Sequence, residues 1–187
     1  VADSRVAAAE LAAPRFYYQL ASPACYLTAE RIVTELPVVP EFVPVLWDAV
    51  PAPDRAQIEH AAAALGLQPL RWPDPWPPRA RTAMLAATYA KGIGRVVAFS
   101  LAAFRQAFAG GRDLGDTDTV LIAAAACEMH PAAVLKALET RSVADALERA
   151  TDRARAAGVQ ALPAIAVGDR VFDGERALER AVEALAG

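Results

Sequence analysis

From Arg79 to about Gly158 the sequence carries almost nothing but helix signals, while strand signals occur on both sides of that stretch. A sheet in this chain must therefore be assembled from its two ends, with a helical block between them. Alanine, the best helix former, supplies 46 of the 187 residues and reinforces the helical reading. Breaks in the block fall at Gly92-Ile93-Gly94, Gly110-Gly111 and His130-Pro131. Short helices are predicted over Asp116–Glu128 and Pro131–Leu138, and Ser142-Val143-Ala144-Asp145 resembles a capping box opening the next one.

The ends are better defined. Arg15–Ala21 is aromatic and rich in strand formers, and it stops at Ser22-Pro23. A helix follows over Ala24–Leu36, with Ser22 as N-cap and Pro23 in the first turn, where its missing N–H costs nothing. Pro40 and Pro44 make Pro37–Trp47 an extended or edge strand, because proline cannot donate to a ladder. Asp54–Leu65 reads as a helix ended by Gly66, and Leu70–Pro78, with four Pro and two Trp, as a rigid extended loop. Near the end, Ala164–Val167 and Arg170–Phe172 flank a Gly168-Asp169 turn, and a last helix covers Glu175–Leu185. The order is β-α-β, a helical block, then β-β-α, with Pro163 just before the third strand. This is the arrangement of an α/β thioredoxin-like fold with a large all-helical insertion. The expected organisation is an extension over residues 1–14, a thioredoxin-like domain from residues 15–50 and 159–187, and an inserted helical domain over 51–158.

Charge and composition exclude several functions. The net charge is −3 and the 17 Arg are scattered, which argues against nucleic acid as a partner. Two Cys cannot form a secreted disulfide framework. The longest apolar run, Val120–Cys127, falls well short of the ~20 residues of a membrane span. Val1–Pro14 lacks a basic-then-apolar leader, so a cytoplasmic location is expected. Cys127 and His130 are two ligands short of a closed zinc site, so no metal is expected. Cys127 reads as core, His130 as complementing a helix C-terminus, and His60 as surface.

The chemistry converges on Ser22-Pro23-Ala24-Cys25, where the first strand meets the first helix. Free N–H groups and the positive helix end there stabilise an anionic sulfur or oxygen. A Cys-x-x-Cys pair at this position would form a catalytic disulfide; with Ser22 in first place it cannot. Cys25 is then either a buried, inert thiol or a monothiol forming mixed disulfides. Pro163 is either an ordinary strand opener or a cis-proline lining a site. Trp72 and Trp76 are either core lids or a hydrophobic substrate wall. Arg79 and Arg81 either begin a solvated helix or reach an acidic substrate.

The run Phe16-Tyr17-Tyr18-Gln19-Leu20-Ala21-Ser22-Pro23-Ala24-Cys25-Tyr26-Leu27 resembles the opening of the 2-hydroxychromene-2-carboxylate isomerases and kappa-class glutathione transferases, within the DsbA-like thioredoxin-fold superfamily. Trp72-Pro73-Asp74-Pro75-Trp76-Pro77-Pro78 and Gly158-Val159-Gln160-Ala161-Leu162-Pro163 continue the resemblance. It implies glutathione as cofactor, with Ser22 beside the glutathione sulfur and Leu162, before a cis-Pro163, pairing through its backbone with the cysteinyl unit. It also implies that Glu175-Arg176 hold the γ-glutamyl end. Tyr18, Trp72 and Trp76 would line a pocket for a small electrophilic aromatic acid, and a homodimer is plausible by the same resemblance. The sequence departs from the family pattern at Ala24, Cys25, Ala161 and Glu175, and its only lysines are Lys91 and Lys136. A thiol oxidoreductase acting through Cys25 alone and a catalytically silent binding protein are the alternatives.

Overall fold

The computed structural model describes residues 13–48 and 52–186. The extension expected over residues 1–14 therefore lies, up to Ala12, outside the described residues. Four short strands make one mixed sheet: β1 (Arg15–Tyr18), β2 (Glu41–Pro44), β3 (Ala164–Val167) and β4 (Arg170–Asp173). Their order is β2-β1-β3-β4. β1 runs parallel to β2 and antiparallel to β3, and β3 and β4 form an antiparallel hairpin. The proline-bearing strand is at the edge, where a missing donor is tolerated. Gly168 turns the hairpin at φ 58°, a conformation that glycine adopts without steric cost.

Eight helices surround the sheet among the described residues: α1 (Pro23–Glu35), α2 (Arg55–Ala64), α3 (Arg81–Gly92), α4 (Val96–Phe108), α5 (Thr117–Ala125), α6 (Pro131–Glu139), α7 (Arg141–Ala156) and α8 (Ala177–Ala186). Alternation along β1 sends Phe16 and Tyr18 to one face of the sheet and Tyr17 to the other. Phe16 and Tyr18 join Phe42, Ile165 and Phe172 in the larger core, against α1, α4 and α8. The second face is thinner: Tyr17, Val43, Ala164 and Ala166 pack on Ala150 and Ala154 of α7. The larger core runs without a break into the helical block through Phe99, Phe104, Phe108 and Leu114. No described helix is long and apolar enough to cross a membrane.

Local details depart from the sequence reading in informative ways. β1 ends at Tyr18 rather than Ala21, although Gln19, Leu20 and Ala21 stay buried. Those three residues leave the ladder to form the turn, where Ser22 N–H donates to the Gln19 carbonyl at 3.1 Å. Ser142 caps nothing: α7 begins at Arg141 behind Thr140, whose hydroxyl donates back to the Lys136 carbonyl of α6. His130 serves the following helix rather than the preceding one, its Nδ1 accepting from Ala132 N–H at the start of α6. α5 stops at Ala125, before the expected Glu128, because Glu128 takes the left-handed conformation at φ 59°.

Candidate functional site

The Ser-Pro turn places two polar atoms at the mouth of α1. Ser22 is the N-cap in extended backbone conformation, and its Oγ accepts from Cys25 N–H at 3.2 Å. Pro23 opens the helix without a donor, and Tyr26 N–H closes the first turn on the Ser22 carbonyl. Ser22 keeps 5% of its surface exposed, and Cys25 keeps none. Burial pushes the Cys25 thiol up to about 11, although hydrogen bonds from the Ser22 side chain and the Gln19 backbone oppose the rise. The helix end is thus suited to an anion, but the sulfur of Cys25 faces the core and stays protonated at neutral pH.

The strand that follows the helical block approaches this turn by register. Tyr17 pairs with Ala164, so Pro163 stands one step further along, level with Tyr18. The Leu162–Pro163 peptide bond is cis, and the Pro163 carbonyl accepts from Gly174 N–H at 2.9 Å. Asp173 supports the same loop, with Oδ2 accepting from Gln160 N–H at 3.1 Å and Ala161 N–H at 3.3 Å.

A cavity of about 240 Å³ opens where α1, α2 and the start of α8 meet. Ala24, Thr28 and Arg31 line it from α1, Gln57 and Ile58 from α2, and Glu175 and Arg176 from the turn before α8. Glu175 accepts from Gln57 Nε2 at 3.2 Å, a contact across the chain that no local pattern announces. Arg31 bridges Glu35 at 2.7 Å and Glu179 at 2.8 Å. Burial raises the Glu179 carboxyl, but backbone hydrogen bonding and Arg31 outweigh it and hold the group below its ordinary range. Both signs of charge therefore face one small cavity beside the turn that carries Ser22 and Ala24.

Other candidates lie elsewhere. Tyr18 has no exposed surface: its ring stacks on Phe16 and meets Phe42 and Phe104, and its hydroxyl bonds Ser100. It belongs to the core, not to a pocket wall, because its strand position points it into the larger core against Phe104 of α4. Trp72 and Trp76 pack edge to face at 5.2 Å, with the Arg55 guanidinium over both rings. Trp72 Nε1 also donates to Glu59 at 2.6 Å. The pair fastens the proline-rich loop to α2, and neither ring lines the cavity at Glu175. Arg79 pairs with Asp113 at 2.7 Å. Cys127 is buried and its thiol is raised by that burial. Among the described residues no group of three or more His, Cys, Asp or Glu is placed to hold a metal.

A family profile, the DSBA-like thioredoxin domain, matches residues 15–186. The chain belongs to that family. No curated protein matches it significantly in sequence. Solved structures superpose closely at low identity. A 2-hydroxychromene-2-carboxylate isomerase gives a TM-score of 0.82 at 15% identity, covering 94% of this chain and 95% of the other. A protein assigned as a DsbA oxidoreductase from Streptomyces coelicolor gives 0.77 at 18%, covering 95% and 89%. One assigned as a protein disulfide isomerase from Nitrosomonas europaea gives 0.70 at 19%, covering 94% and 96%. At such identities the likeness speaks to the shared DsbA-type thioredoxin fold, which is common to isomerase and oxidoreductase neighbours alike.

Proposed function

We propose that this DSBA-like domain is a glutathione-dependent isomerase or transferase acting on an electrophilic aromatic acid. One observation carries the reading: the first position of the motif, at the helix N-cap, is a serine, and the only cysteine of the motif is wholly buried. A nucleophilic sulfur at this helix end must then come from outside the chain. The surroundings suit glutathione. Glu175 complements its ammonium group, and Arg176 and Arg31 complement its carboxylates, all on one cavity. When bound, glutathione supplies a thiolate that adds to the electrophile. The chain's own part is to favour that thiolate with the Ser22 hydroxyl and the α1 N-terminus, and to orient the peptide with the backbone at Leu162 and the charges at Glu175 and Arg176.

The oxidoreductase reading would need Cys25 to reach a partner sulfur, and its burial weighs against that. Glutathione titration followed by thermal unfolding tests the proposal. Ligand at ~100 times its dissociation constant stabilises by about 2.7 kcal/mol, a readily visible shift. The shift should fall in Glu175→Ala, and Ser22→Ala should raise the pKa of the bound thiol. No shift at millimolar glutathione would sink the proposal and leave a binding protein without thiol chemistry.

A further inference from the structure

A second cavity, of about 340 Å³, lies on the other face of the sheet, between β1, β2, α3 and α7. It runs beside β1 from Arg15, at the start of the strand, whereas Ser22 lies beyond the strand's end. Its position follows from strand alternation: Arg15 and Tyr17 of β1, and Glu41 and Val43 of β2, share the face turned to α7.

Three cations border the cavity: Arg15, Lys91 and Arg153. Glu41 is its only lining carboxylate, and Lys91 is already tied to Glu41 and to the Phe42 carbonyl. Arg15 and Arg153 have no carboxylate partner among the described residues. Tyr17 brings a hydrogen-bond donor to the same cavity. It is 2% exposed, it lines the cavity, and its hydroxyl has no hydrogen-bond partner among the described residues. That hydroxyl is not sealed off, so it is free to donate to a ligand in the cavity. The remaining wall is apolar, from Val43, Pro44, Ala146 and Ala150. The volume falls at the low end of the ~300–1,000 Å³ range of small-molecule sites.

We propose that this cavity binds a small organic anion, a carboxylate or phosphate on a compact apolar body. The anion lies between Arg15 and Arg153, accepts a hydrogen bond from Tyr17, and sets its apolar part against Pro44 and the alanines of α7. Charge-assisted hydrogen bonds from two arginines give the affinity, and the narrow apolar wall gives the size limit. The site is independent of the glutathione reading, since it shares no residue with the cavity at Glu175.

The experiment is a titration of the intact protein with benzoate, phenylphosphate and inorganic phosphate, read by calorimetry and by thermal unfolding. Benzoate or phenylphosphate should bind and raise the Tm, and the stronger of the two identifies the headgroup. Arg153→Ala and Tyr17→Phe should each weaken binding about tenfold. Tyr17→Phe should leave the Tm of the ligand-free protein unlowered, because the lost hydroxyl had no partner. Ser22→Ala should bind as the wild type does. Failure of both organic anions to bind, binding that both cavity variants retain, or binding lost in Ser22→Ala would overturn the proposal. Inorganic phosphate binding as tightly as phenylphosphate would overturn the apolar half of it.

Discussion

At the scale of single residues, the motif separates two properties that a Cys-x-x-Cys pair combines. The helix end that would activate a thiolate is offered by Ser22, while the sulfur of Cys25 sits in the core with its proton held on by burial. This has a pH signature. An unfolded thiol titrates near ~8.5, and the folded one is pushed up to about 11. The thiol is neutral in both states below the unfolded value, so its contribution there is constant. Between the two values only the unfolded chain ionises, and stability falls as pH rises. Denaturant unfolding from pH 7 to 11 should show a decline that is shallower in Cys25→Ala than in the wild type. The native protein should also react with a thiol-specific reagent far more slowly at Cys25 than the unfolded chain does. Equal pH slopes in the two proteins would refute the assignment.

At the scale of elements, the left-handed residue that ends α5 offers a second test. Glu128 occupies φ 59°, where a side chain costs roughly 1–2 kcal/mol and glycine nothing. Its ion pair with Arg95, at 3.2 Å, is largely exposed and contributes little. Glu128→Gly should therefore raise the Tm by about 2–4 °C, measured by calorimetry. The same helix shows where sequence legibility ends. Signals that act within a turn were readable: the Ser22-Pro23 cap, the prolines that send β2 to the edge, and the Gly168-Asp169 hairpin. The shared residue between α6 and α7 was not, because Thr140 bonds back to Lys136 instead of forward. In the site, chain order indicated the Ser22 turn and Pro163, while Leu162 and Glu175-Arg176 came only from the family resemblance. The Gln57–Glu175 contact was hidden because α2 reaches the turn before α8 only in the folded chain. Tyr18 was misplaced for a related reason: strand alternation assigns faces relative to one another, and only packing decides which face carries the larger core.

At the scale of the whole molecule, the sheet and the helical block share one interior. Phe104 of α4 makes the junction, with ring centroids 5.9 Å from Tyr18 of β1 and 5.9 Å from Tyr26 of α1, and it also stacks on Phe108. An inserted block that packed only on itself would unfold separately from the sheet; one whose largest side chains fill the sheet's own core cannot. Fluorescence from Trp47, which packs against the sheet's second face, recorded with Trp72 and Trp76 replaced by Phe, and far-UV circular dichroism, dominated by the helices, should therefore report coincident transitions. Phe104→Ala removes contacts to both parts at once and should cost about 3–5 kcal/mol. The decisive feature is how that loss is distributed. If the core is continuous, both probes shift together and the transition stays single. If the helical signal moves while the tryptophan signal stays in place, Phe104 supports only its own block and the two parts do not share one cooperative core.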